Sequence, residues 1–184
     1  MKFKGFIVLC VLPILFSFSK WRETHIDINN LDQDKLENLI ISKVNKLREK
    51  RRKTALTRNH ILGLAASNQA EFLKKNKKLS HTQRSRKSKT PMDRTDLYGG
   101  RFSYVGENIA YTYLYEPVKG AANEERTVVL RSYEETAEYF YQLWKNSKTH
   151  YKNMIDGDFA LTRIRFSFDS KTKRIYGVQV FGAL

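Results

Sequence analysis

The sequence predicts an α+β fold, with helices packed on a central antiparallel sheet, and three observations predict it. Leu36, Leu39, Ile40, Val44 and Leu47 recur at helical spacing, and a second helical run follows between Thr57 and Asn76. Ile164, Phe166 and Phe168 alternate with polar neighbours, as a half-buried strand does. The polar turn from Asp169 to Lys173 joins that run to a second strand-like run, Arg174 to Phe181. The predicted order is helix, helix, strand, helix, strand, strand, with no internal repeat. Segregated helices beside an antiparallel pair belong to α+β folds.

At the N-terminus, Lys2 and Lys4 precede an apolar run, and Ser17 and Ser19 follow it. That is the order of a secretory leader, whose apolar region runs roughly 7–15 residues, whereas a membrane span needs about 20. Cleavage is expected near Ser19-Lys20. Residues 1–19 then form the leader, 20–34 a polar lead-in and 35–184 the folded domain. An uncleaved membrane anchor is the competing reading. A lipoprotein signal at Cys10 is disfavoured by the bulky Leu9 before it and the apolar residues after it.

The first helix has N-cap choices in Asn29, Asn30 and Asp32 and ends near Lys50, in a basic run that suits a helix C-terminus. The second is expected from Thr57 to Asn76. Ile61, Leu64, Ala65, Asn68 and Phe72 lie on one side of it, and Ala65, Ala66 and Ala70 permit close approach of a neighbour. Residues 80–90 read as a polar, basic loop. Thr90-Pro91-Met92-Asp93 places a cap residue before a proline at the first helical position, opening a short helix that stops at Gly99-Gly100. Residues 102–114 read as a strand interrupted near Gly106, and Glu116 to Asn123 as a flexible surface loop. Ser132-Tyr-Glu-Glu135 is a capping box that opens a helix through Trp144 and on to His150.

With 41% hydrophobic residues, including 11 Phe, 10 Tyr and 2 Trp among 184, the chain has the material for one cored domain, which excludes disorder throughout. Cys10 is the only cysteine and falls within the leader. Disulfides, thiolate nucleophiles and cysteine-rich zinc sites are therefore excluded from the mature domain. The net charge is +15, and the basic residues are clumped: Lys43 to Arg58, Lys74 to Lys78, and Arg84 to Lys89. Such clumps bind polyanions such as acidic envelope polymers, or simply solvate a face. No defined nucleic-acid-reading module is present, and export argues against one.

Three residues far apart in the sequence are candidates for chemistry: His81, Glu107 and His150. His81 opens a polar loop, where a histidine is ordinarily a surface or hinge residue. His150 at the end of the capped helix would ordinarily be a cation at its C-terminus. Glu107 lies mid-strand among aromatics and needs a partner or a wet cleft, because burying it bare is costly. Asn108 beside it suits local backbone hydrogen bonding. On a continuous helix, Trp144, Ser147 and His150 share one face. If the three candidates converge, His81 and His150 could hold a divalent metal such as Zn²⁺, leaving an open position for water. Alternatively Ser147, His150 and Glu107 could act as nucleophile, base and orienter. No Gly-x-Ser-x-Gly or His-Glu-x-x-His pattern occurs, which ranks the serine hydrolase below a metal or ligand cleft.

Gly106-Glu107-Asn108-Ile109-Ala110, the earlier His81 and the later Trp144-x-x-Ser147-x-x-His150-x-x-Asn153 resemble the bacterial branch of the CAP superfamily, the SCP-like extracellular proteins. So do Val44-Asn45-Lys-Leu-Arg48, Leu64-Ala65-Ala66-x-x-Gln69-Ala, Thr90-Pro-x-Asp-Arg94 and Gly177-Val-Gln-Val-Phe181-Gly182. The resemblance covers roughly residues 35–182. It implies a three-layer α-β-α sandwich with a central antiparallel sheet and a cleft lined by two histidines and two acidic residues, which in some members hold zinc or another divalent ion. His81, Glu107 and His150 match three of those positions; Ser147 stands where many eukaryotic members have glutamate. Arg163 and Arg165 stand where the family often has glycine and are expected to crowd or charge the cleft, and the loop from Glu116 to Arg131 is long. The expected protein is secreted or periplasmic. Its cleft of His81, Glu107, Asn108, Ser147 and His150 would bind a lipid or other small molecule. A hydrolase using Glu107 and His150, with Ser147 or a metal-bound water as nucleophile, and a basic envelope-binding module are the alternatives.

Overall fold

In the computed structural model, residues 26–117 and 128–184 are described, with backbone alone for 116, 117 and 128–130. The leader, residues 20–25 of the lead-in and residues 118–123 of the expected surface loop lie outside them. Helix α1 (Gln33–Lys50) starts at Asp32, whose carboxylate accepts from the Lys35 N–H at 2.9 Å. A two-residue strand β1 (Thr57–Arg58) leads into α2 (His60–Asn76), capped by Asn59. The second helix thus begins three residues later than its periodicity suggests, because Thr57 and Arg58 pair with a neighbouring strand. Then come α3 (Pro91–Leu97), β2 (Tyr104–Tyr113), a ribbon of β3 (Tyr115–Pro117) and β4 (Val128–Leu130), α4 (Tyr133–Lys145), α5 (Lys148–Ile155), β5 (Leu161–Asp169) and β6 (Arg174–Ala183).

The main sheet has the order β1-β5-β6-β2. β5, β6 and β2 are antiparallel neighbours, but β1 runs parallel to β5, so the sheet is mixed. β2 is not broken at Gly106, which pairs with Phe181 within a continuous ladder. Glycine is required there by close approach: the Phe159 ring lies 2.7 Å from where a Cβ would stand.

Side chains alternate across β6. Ile175 and Phe181 enter a core with Ile40, Val44, Phe140, Trp144 and Ile164, under α1, α4 and α5. Tyr176, Val178 and Val180 enter a second core with Leu62, Ala66, Ala70 and Leu73 of α2. Helices therefore cover both faces, giving three layers. The face of α2 that packs carries Leu62, Ala65, Ala66, Gln69 and Leu73; of the side expected from the sequence only Ala65 is buried, and Ile61, Leu64, Asn68 and Phe72 are half-buried. Apolar residues occur on both sides of this helix, and the smaller, alanine-rich side fits the sheet more closely.

Two buried charges organise the frame. Arg48 of α1 donates to the carbonyls of Thr54, Met154, Asp156 and Phe159, fixing the turn between α5 and β5. Glu37 accepts from the Ile164 N–H at 2.7 Å, and the Gln33 amide both accepts from the Phe166 N–H and donates to its carbonyl at 2.9 Å. Side chains of α1 thereby continue the edge of β5 where the short β1 stops.

The predicted single helix from Ser132 to His150 is two helices. The backbone leaves helical geometry at Ser147 (φ −93°, ψ 122°) and restarts in α5. Asn146-Ser147 favours caps over helix interiors, since their side chains compete for backbone groups. Trp144, Ser147 and His150 consequently share no helix face. His150 lies in the first turn of α5, not at a C-terminus, so the expected role as a helix-end cation does not apply.

Candidate functional site

Glu107 projects from β2 with its side chain 1% exposed, and both carboxylate oxygens are engaged. Arg94 of α3, also fully buried, donates from Nη2 to one oxygen at 2.6 Å. His81 places Nδ1 2.8 Å from the other. The cost of burying the carboxylate is offset by a charge-assisted pair and a second hydrogen bond.

Each partner is held by its own local structure. Thr90 and Asp93 form a reciprocal capping box at the start of α3, which sets the helix carrying Arg94. The second Arg94 nitrogen, Nη1, donates to the carbonyls of Ser88, His81 and Lys89, so one guanidinium fastens the loop to the strand. The loop is further pinned to α2. Gln83 donates to Asn68 and Gln69, Ser88 donates to Gln83, and Gln69 donates to the Ser80 carbonyl. The expected polar loop is thus pinned by buried amides that set the position of His81.

His150 comes from the other side of β2. Asn108 donates to the His150 carbonyl at 3.1 Å, and Asn153 donates to Asn108 Oδ1 at 2.9 Å and to the Glu107 carbonyl at 3.3 Å. These bonds lash α5 to β2. Asn108 therefore works across the fold and not locally. His150 is half-buried, with Nδ1 shielded and without a hydrogen-bond partner. Burial, helped by the nearby His81, lowers the pKa of its imidazole.

Of the residues singled out in the sequence, His81 and Glu107 are thus in contact and His150 lies near His81. The Ser147 hydroxyl shares a hydrogen bond with Thr149 Oγ1 at 3.3 Å and with none of the three. Arg163 and Arg165 do not enter this site. They pair with Asp34 and Glu37 of α1, two strands away from β2. Two residues of the site, Arg94 and Asn153, were present in the sequence motifs but had no role there. The signal for Arg94 was the need of a buried Glu107 for a partner, with an arginine at the end of a capped motif.

The family model for the cysteine-rich secretory protein family, CAP, matches residues 41–181. The chain belongs to the CAP family. Its solved structural neighbours share the fold. An outer surface protein of Borrelia burgdorferi superposes with a TM-score of 0.61 at 20% identity, over 79% of this chain and 90% of that one. An extracellular protein of Bacillus anthracis with an SCP domain gives 0.59 at 19%, over 83% of this chain but 41% of that one. NaASP2, solved with Zn²⁺, gives 0.54 at 14%, over 85% and 83%. No curated protein matches significantly. This CAP domain keeps the family's fold without the cysteines of the family's name, since its one cysteine is Cys10.

Among the described residues of this CAP chain, no group of three or more His, Cys, Asp and Glu could hold a metal ion. With Glu107 accepting at Nδ1 of His81, the lone pair of that ring lies on its other nitrogen, while Nδ1 of His150 is shielded from solvent. Glu107 itself is committed to Arg94 and orients His81 instead of ligating.

Proposed function

We propose that this CAP chain is an exported binding protein, secreted or periplasmic, whose cleft between His81 and His150 takes a small ligand such as a lipid. Zn²⁺ or another divalent cation is a secondary occupant of the same two imidazoles. The observation that carries this reading is the division of labour around Glu107. Its carboxylate holds His81 and Arg94, while the Nδ1 of His150 is shielded and unmatched. Glu107 fixes the ring of His81, and His150 stands half-buried near it, so two imidazoles border one cleft, which suits capture of a polar group. When bound, a divalent ion would supply Lewis-acid polarisation of a ligand oxygen. The hydrolase reading ranks second, because Ser147 bonds to Thr149 and Glu107 to groups other than His150. The extracellular and outer-surface neighbours in Bacillus and Borrelia support export.

The test is calorimetric titration of Zn²⁺ into the untagged domain, beside a His81→Ala, His150→Ala variant shown to fold. Stoichiometric binding lost in the variant supports the two-imidazole site. Unchanged binding in the variant removes it, and absence of binding in the parent leaves a metal-free cleft to be screened with lipids.

A further inference from the structure

We infer a second binding surface, independent of the histidine site: a groove beside α2 that takes an acidic polysaccharide. The groove encloses about 490 Å³ between α2 and the pinned loop, and its lining includes Asn68, Glu71, Phe72, Lys75, Gln83 and Tyr98. Aromatic side chains beside fixed amides are the ingredients of a sugar subsite. Rings offer a flat apolar surface, and amides fix hydroxyl groups by paired donors and acceptors. Here the amides are pre-set, since Gln83 donates to Asn68 and Asn68 donates to the Tyr98 hydroxyl. The carboxylate in the groove, Glu71, is already neutralised by Lys74 at 2.6 Å.

Lys75 lines the groove, and the segments bordering it carry a rim of further cations: Lys78 at the exit of α2, and Arg84, Arg86, Lys87 and Lys89 on the loop that contributes Gln83. All are exposed, and none has an ion-pair partner among the described residues. Two carboxylates near these basic segments are committed elsewhere. Asp93 caps α3 beside Lys89, and Asp169 holds the β5–β6 turn near Lys77. Because the loop is fastened by Gln83, Ser88 and Arg94, its cations are presented without the ordering cost of a free segment. A polymer with repeated sulfate or carboxylate groups matches that rim. A single-stranded nucleic acid would ask for a series of aromatic platforms, and a bilayer for a continuous apolar face; the amide-lined groove offers neither.

Binding of the full chain to heparin, used as a sulfated polysaccharide probe, tests this at about 0.15 M salt and at rising salt. Four variants accompany it. In the loop variant, Arg84, Arg86, Lys87 and Lys89 become Gln; in the control, Lys46, Lys50, Arg51 and Lys53 of the α1 end become Gln; the groove variant is Tyr98→Ala, with Tyr98→Phe as its conservative partner. The expected result is salt-sensitive binding that falls roughly tenfold or more in the loop variant and by less than about threefold in the equally neutralised control. Tyr98→Ala should weaken binding without changing the salt slope, and Tyr98→Phe should restore most of it. Equal losses in both neutralised variants, full binding in Tyr98→Ala, tighter binding to anionic vesicles than to heparin, or no heparin binding by the parent would each overturn the inference.

Discussion

At the scale of single residues, Arg94 is the most consequential side chain. It is the counter-charge of Glu107 and, through three carbonyls, the anchor of the His81 loop. Replacing it by methionine leaves a carboxylate buried with only an imidazole for company, a change expected to cost about 3–5 kcal/mol in denaturant unfolding. Removing both charges, as Arg94→Met with Glu107→Leu, should recover part of that loss, which separates the uncompensated charge from lost packing. His150 makes a pH prediction. Its folded pKa lies below the ordinary value of 6.5, so the unfolded chain takes up the proton first as the pH falls. The stability tied to neutral His150 is present above about pH 6.5 and is lost as the pH drops toward the lowered value. In the presence of chelator, thermal unfolding of the parent between pH 7 and pH 5 should therefore fall more steeply than that of His150→Gln. Equal slopes would show that His150 is not the group responsible.

At the scale of elements, the boundaries that rest on caps were legible and those that rest on pairing were not. The Thr90 and Ser132 capping boxes start helices where the sequence places them, because the motif closes on itself within four residues. The hairpin of β5 and β6 was equally visible in its alternation. What escaped was whatever depends on a distant partner. Thr57 and Arg58 become a strand only because Leu161 and Thr162 offer an edge. The break at Ser147 has only a weak local mark, and the packed face of α2 was chosen by fit to β6. At the site, His81, Glu107 and His150 were identifiable by type and context, whereas the Arg94 and Asn153 contacts span long sequence separations and have no periodic signature. Element packing also makes a prediction at Gly177, where a Cβ would stand 2.5 Å from the Phe140 ring between α4 and the sheet. Gly177→Ala should destabilise by about 1–3 kcal/mol through forced repacking, read as a lowered denaturant midpoint with an unchanged slope.

At the scale of the whole molecule, three layers leave chemistry to the rim of β2, where the pinned loop, α3 and α5 converge from different sides. The net charge of +15 is not spread evenly. The arginines of β5 are matched by Asp34 and Glu37, while those of the loop beside α2 face solvent. Such an arrangement separates internal neutrality from external attraction, so salt should affect association with polyanions far more than folding. The opposite border of the sheet carries a different consequence. Gln33 and Glu37 present to β5 the donors and acceptors that a further strand would have brought. A stranger's extended segment, arriving at that border, finds Ile164 and Phe166 already satisfied. The molecule is thus closed to templated growth along β5, and a crowded population of it has no ready seam there along which one copy could be stitched to the next.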